Sequence, residues 1–198
     1  MELKVNGEHI DITLENESTV GDVLTAFEAE ASKHDATTIN IHLNGEEIPA
    51  EKFDTIIKEP IKDDTLIELT VLNKQSVLDA FGDIKKGFES LTTQMELVPV
   101  MIQGGKDSEV NQTIQLLADE IDNFCHTATL CALFPDLYSK IKIDDQDLTS
   151  FFENFAPILA DFEQAMTDKD TVTVGDLAEY EISPRLTMIS DAICTILK

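Results

Sequence analysis

The apolar residues of this chain change their spacing once. Up to about Asn73 they alternate in short runs split by turn signals, and beyond it they recur every three and four residues. Alternation lets a strand bury one face, whereas the three-and-four spacing lets a helix do so, and no stretch satisfies both. The sequence therefore predicts an α+β architecture in two units: a small mixed sheet over residues 1–73 and a helical bundle over residues 74–198.

In the first unit Leu3 and Val5 precede Asn6-Gly7, a strong hairpin signal, and Ile10, Ile12 and Leu14 alternate after it. Thr19 can cap a helix with Asp22 three residues on. Val20, Val23, Leu24, Phe27 and Ala31 then share one face, which predicts a helix over about residues 19–33. Ile39, Ile41 and Leu43 alternate up to Asn44-Gly45, and Ile67, Leu69 and Val71 alternate after Asp63-Asp64. Between these strands Phe53, Ile56 and Ile57 suit a short helical turn.

That order of strand, strand, helix, strand, turn and strand resembles the β-grasp, and residues 1–73 resemble a ubiquitin-like domain. The likeness rests on the opening hairpin, the helix after Ser18-Thr19-Val20, the segment from His42 to Ile48 and the segment from Lys62 to Leu69. Two departures limit what it implies. Conjugated members of that family end in a free Gly-Gly tail, whereas here Leu72-Asn73-Lys74-Gln75 runs on into helix, so conjugation is not expected. Ubiquitin also presents an apolar patch on its outer sheet face. If Ile39, Ile41, Leu43, Ile67, Leu69 and Val71 point inward here, the outward residues are Thr38, Asn40, His42, Glu68 and Thr70, a polar face with Leu66 and Leu72 at its margins.

The second unit opens with Val77, Phe81, Ile84, Phe88, Leu91, Met95, Val98 and Ile102, spaced alternately by four and three: a long helix with one narrow seam. Gly104-Gly105 stops it and Ser108 is the expected cap of the next helix, whose seam runs from Val110 through Ile114, Leu117, Ile121, Phe124 and Ala128 to Cys131. A third pattern links Leu148, Phe151, Phe152, Phe155, Leu159, Phe162 and Met166. A fourth links Leu177, Ile182, Leu186, Ile189, Ile193 and Ile196, which completes a four-helix bundle. Pro99, Pro157 and Pro184 fall inside these patterns and should bend or break the helices, giving an irregular, proline-kinked bundle.

Eight of the ten phenylalanines lie in this half. Aromatic and methionine stripes at helical spacing serve first as core, but an irregular bundle can leave a groove. Leu97, Met101, Phe134 and Phe151 are the candidates for partner contact there.

Acidic residues outnumber basic ones by 39 to 14, with 17 against five up to Asn73 and 22 against nine beyond it, so the excess is not confined to a tail. Such a charge repels phosphate backbones and anionic lipid, and Arg185 is the only arginine. Neither nucleic acid nor membrane is an expected partner; a basic protein is. The N-terminus lacks a basic stretch followed by an apolar run, and no segment approaches the length of a membrane span, so a cytoplasmic location is expected. Cys125, Cys131 and Cys194 include no CxxC pair and read as reduced thiols.

Apparent site motifs fall short. Gly104-Gly105-Lys106-Asp107-Ser108 has Asp where a phosphate loop needs Ser or Thr, and it follows a helix. Asp168, Asp170, Asp176 and Glu179 match the first, third, ninth and twelfth positions of a calcium loop, but Val172 and Thr173 occupy the fifth and the glycine position, so helix capping explains these carboxylates better. Cys125, His126 and Cys131 do not share one helix face. No cofactor is expected.

The functional expectation is a non-enzymatic, acidic interaction or adaptor protein. Its helical half would bind a protein partner, basic or presenting an amphipathic helix, or a second copy as a homo-oligomer. Two alternatives are a chaperone for exported or self-assembling subunits and a metal-dependent enzyme or calcium sensor built on Asp168 to Glu179.

Overall fold

The computed structural model describes residues 1–198 and has an α+β architecture whose chain divides into two compact units, Met1–Ser76 and Val77–Lys198. The first is a β-grasp. Strands β1 (Glu2–Val5), β2 (Glu8–Ile10), β3 (Ala36–Leu43), β4 (Glu46–Glu47) and β5 (Leu66–Asn73) form one sheet in the order β2-β1-β5-β3-β4. β1 and β5 run parallel at its centre and the other pairs are antiparallel. Helix α1 (Val20–Ser32) contributes Val20, Val23 and Leu24 to a core with Leu3, Ile67 and Leu69, and α2 (Ala50–Ile56) precedes β5.

Local chemistry places these elements. Asn6 and Gly7 turn the first hairpin with φ of 50° and 84°, and Asn44 and Gly45 turn the second with 52° and 85°, which suits Asn-Gly at both sites. Each asparagine also reaches β5. Asn6 accepts from the Val71 backbone N–H at 2.8 Å and donates to its carbonyl at 3.1 Å, while Asn44 accepts from the Leu66 N–H at 2.9 Å. Thr19 and Asp22 form the expected capping box on α1. Gly21 donates to the Ile57 carbonyl at 2.9 Å, and a Cβ there would lie 2.7 Å from that oxygen, so α1 can approach Ile57 only at glycine.

Two strand expectations are corrected. Pairing of β2 with β1 ends at Ile10 opposite Leu3, so Ile12 and Leu14 lie beyond the strand. In β3 the register slips between Thr38 and Asn40, which makes Ile39 the extra residue of a bulge and leaves it 43% exposed instead of inward. The carboxylate of Glu28 on α1 holds the bulged end of the strand. It accepts from the Thr37 hydroxyl at 2.7 Å and from the hydroxyl and backbone N–H of Thr38 at 2.9 and 3.1 Å.

The second unit is built from α3 (Lys74–Gln103), α4 (Asp107–Cys131), α5 (Pro135–Tyr138), α6 (Leu148–Asp168), α7 (Thr171–Asp176) and α8 (Ser183–Ile196), with a π-helical turn at Leu177–Ile182. The Asn73 side chain caps α3 by accepting from the Ser76 N–H at 2.7 Å. The α3 seam is buried from Val77 through Phe81, Ile84, Phe88, Leu91 and Met95 to Val98. Phe124 of α4 meets Phe81 and Phe88 of α3 and Phe152 of α6, with ring centroids 6.0 to 6.1 Å apart. Arg185 lies 6.0 Å above the Phe155 ring and donates to the Glu181 carboxylate at 2.7 Å.

The prolines behave differently from one another. α3 continues through Pro99 and α6 through Pro157, so neither residue ends its helix. Pro184 stands in the first turn of α8, where no intrahelical N–H is required, and the π turn just before it has Ser183 donating to the Ala178 carbonyl five residues back. Ser108 is not a cap: α4 starts at Asp107, because Gly105 at φ 67° and the Lys106 N–H bonded to the Met101 carbonyl complete the turn directly. Asp107 and Glu109 put negative charge in that first turn. No helix is long and apolar enough to cross a membrane.

Candidate interaction surface

Helices α4 and α6 each carry a second apolar row beside the one that the core covers. On α6, Phe151, Phe155 and Phe162 are buried, while Phe152, Leu159 and Met166 form a half-buried row spaced by seven residues. On α4, Val110, Leu117 and Phe124 are buried, and Ile114 and Ile121, also seven apart, are half-buried. Seven residues make two helical turns, so each row runs nearly parallel to its axis beside the seam that faces the core.

The two rows line one trough. Its middle is a hollow of about 430 Å³ walled by Ile114, Leu117 and Ile121 on one side and Leu159, Phe162 and Met166 on the other. At one end it is followed by a hollow of about 320 Å³ that includes Asp107, Asn111, Met166 and Lys169. At the other lies one of about 410 Å³ that includes Cys125, Ala128, Leu148 and Phe152. The low numbers of α4 thus face the high numbers of α6, so the two trough walls run antiparallel.

Charge on these walls has one sign. α4 carries Asp107, Glu109, Asp119, Glu120 and Asp122, and α6 carries Glu153, Asp161, Glu163 and Asp168, with no lysine or arginine in either helix. Lysines stand only just outside them: Lys106 before α4, paired with Glu109 at 3.0 Å, and Lys169 after α6. All of these carboxylates except Glu120 are exposed. Glu120 folds over Gly87 of α3, where a Cβ would sit 2.5 Å from its carboxylate. Burial, reinforced by Asp119, holds the Glu120 carboxyl above its usual range. Burial likewise pushes up the Cys125 thiol, with Asp122 adding to the effect. No disulfide joins Cys125, Cys131 and Cys194.

The sheet unit has its own concavity, about 450 Å³, between α1 and residues 10–14. Ile10, Ile12 and Leu14, each 37 to 39% exposed, form one wall; Val23, Ala26 and Phe27 form the other. Glu17, Glu30 and His34 also border it.

Of the residues singled out for partner contact, Leu97 is 46% exposed and Met101 half-buried on α3. Phe134 and Phe151 are only 7% and 4% exposed, and Phe151 packs against Phe152 and Phe155. These two rings are core: Phe134 is buried in the bend between α4 and α5, and Phe151 lies on the buried face of α6; Phe152, one residue on, is the ring that reaches the trough. Asp170 caps α7 by accepting from the Thr173 N–H and hydroxyl at 3.1 and 2.7 Å, and Asp168 accepts from the Gln164 amide at 2.8 Å. Asp176 ends α7, Glu179 lies in the π turn, and no three His, Cys, Asp or Glu residues converge as metal ligands.

A β-grasp sheet unit followed by a helical unit with an acidic-walled trough is the class of protein these features define. Residues 79–192 match the family described as Domain of unknown function (DUF8042), and the chain belongs to that family. Residues 1–73 match the model described as the TP0873 N-terminal domain. A protein of Treponema pallidum (strain Nichols), described as an uncharacterized protein, is similar along nearly its whole length: 28% identical over 193 residues, covering 98% of this chain and 96% of the relative. No solved structure matches the chain.

Proposed function

We propose that this protein is a non-enzymatic, cytoplasmic interaction or adaptor protein. In this reading its helical unit takes a protein partner, while the ubiquitin-like sheet unit acts as a recognition or spacing element. The observation that carries it is the trough between α4 and α6, where Ile114, Ile121, Phe152, Leu159 and Met166 are only half covered. An apolar strip of this kind, edged by polar residues, is characteristic of a surface that another macromolecule covers. The test is cross-linking of the intact protein in native lysate at low and high salt, with partners and attachment sites read by mass spectrometry. A specific partner attached within residues 77–198 is expected. Recovery of none at either salt, from a protein that is monomeric by light scattering, overturns the proposal.

The same trough favours one second reading, a chaperone that shields an amphipathic helix of an exported or self-assembling subunit. A chaperone suppresses aggregation of the isolated partner, whereas an adaptor leaves it unchanged.

A further inference from the structure

Resting on that reading, we infer that the trough between α4 and α6 is a docking groove for one occupant: a cationic amphipathic helix of another protein. The shape sets the secondary structure of the occupant. The hollows follow one another along α6 from Leu148 to Met166, which at about 1.5 Å per residue is roughly 27 Å, the length of a helix of about 18 residues. Along that length the apolar contacts recur at Phe152, Leu159 and Met166, every second turn of helix. A helix laid along such a row meets it with its own side chains at three-and-four spacing; an extended strand, with alternate residues facing the groove, does not keep step with it.

Charge selects the sign of the occupant. The two helices together carry nine carboxylates and neither lysine nor arginine, and Lys169 borders the trough just past the end of α6. By contrast α3 carries Lys74, Lys85 and Lys86, and α8 carries Arg185, whereas the two long helices that wall the trough hold no lysine or arginine. Asp107 and Glu163 line the trough itself, and Asp119, Asp122 and Glu153 are exposed on the same helices. Lysine and arginine flanking the apolar stripe of the occupant would meet this field, which speeds encounter and sets orientation, while burial of the stripe holds the complex together. The same field works against a second copy of this chain, whose formal charge of -25 would be brought against like charge.

The test uses the full-length protein and a fluorescein-labelled 21-residue peptide of leucine and lysine alone, with leucine at the a and d positions of a heptad. Two controls accompany it: the same composition scrambled to abolish the apolar stripe, and the same pattern with glutamate in place of lysine. Anisotropy titrations at about 20 and 300 mM salt should show the patterned lysine peptide binding at least tenfold more tightly than either control, more weakly at high salt but with the order kept. Leu159→Asn and Ile121→Ser should each weaken binding at least tenfold, with circular dichroism confirming the native helix content. Glu163→Gln, at a rim carboxylate, should weaken it about threefold at low salt only.

Equal binding of the scrambled peptide overturns the groove, because attraction would then be charge alone. Unchanged binding in both Leu159→Asn and Ile121→Ser overturns it as well, even if the native partner still cross-links elsewhere on the helical unit, in which case the interaction-protein reading stands. A dimer of the free protein that Leu159→Asn dissolves assigns the trough to a second copy and also overturns the inference. Absence of both peptide binding and a native partner removes the two proposals together.

Discussion

In the sheet unit the core residues Leu3, Val20, Val23, Leu24, Ile67 and Leu69 sit on short elements, each fixed by a nearby turn or cap. In the helical unit Phe124 alone touches rings from α3 and α6, at separations of 28 to 43 residues along the chain. The first unit is held by hydrogen bonds at defined positions, such as Asn6 to Val71 and Glu28 to Thr37 and Thr38. The second is held by side chains interlocking across long helices, which leaves freedom in how completely a face is covered. The trough is the product of that freedom: α4 and α6 bury their seams on Phe88, Phe124 and Phe155 and leave the adjoining rows only half covered.

The largest test of this contrast removes the aromatic hub. Phe124→Ala should cost the helical unit about 3–5 kcal/mol and lower amide protection in α3, α4 and α6 together, as read by denaturant unfolding and hydrogen exchange. If only α4 loses protection, the interlocking account fails. In the sheet unit, Gly21→Ala forces a Cβ against the Ile57 carbonyl and should cost about 1–3 kcal/mol, with exchange rising first in α1 and the segment around Ile57. Next comes the cap. Thr19→Ala removes one half of the capping box and should cost about 1 kcal/mol, visible as a lower urea midpoint with an unchanged slope.

The smallest effect has opposite signs in the two units. Burial pulls the Glu28 carboxyl up, but the hydrogen bonds from Thr37 and Thr38 outweigh it and hold the group below its usual value. Its contribution to stability is therefore present above the carboxyl value of the unfolded chain and lost as pH falls through the depressed folded value. Glu120 is raised by burial and by Asp119, so its ionised form weakens the folded state, and that cost is relieved as pH falls through the raised value. Glu28→Gln should thus lower the urea midpoint near neutral pH and Glu120→Gln should raise it, both differences shrinking in acid. Shifts of the same sign in both variants would show that long-range charge dominates over these local contacts.

Much of the fold was legible at the level of residues. Asn6-Gly7, Asn44-Gly45 and the pair Thr19 and Asp22 act over a few residues, so their turns and cap could be read directly from their order. The α3 seam was equally readable, because its spacing already specifies one face. Ile39 was misplaced because a bulge depends on the partner strand: the slip between Thr38 and Asn40 exists only against β5. Ser108 is not the cap because Gly105 and Lys106 close the preceding turn and put the N-cap at Lys106, two residues before the serine. Among the site residues, Phe151 and Phe152 are adjacent and chemically identical, and no local rule says which faces a core and which a trough. The seven-residue recurrence of Phe152, Leu159 and Met166 beside a complete seam was the available signal, and it could be recognised only as surplus apolar surface.

The order of the residues determined by itself the two kinds of secondary structure, the handover near Asn73, the hairpin turns, the α1 cap and the strongly acidic character, because each depends on neighbours within a turn or on composition. Tertiary structure alone decided which apolar rows are covered, that Phe134 and Phe151 belong to the core, and that the cation-free helices α4 and α6 face one another across a trough. Periodicity defines a face but not the neighbour it meets, and burial is settled only when every helix has packed against the others.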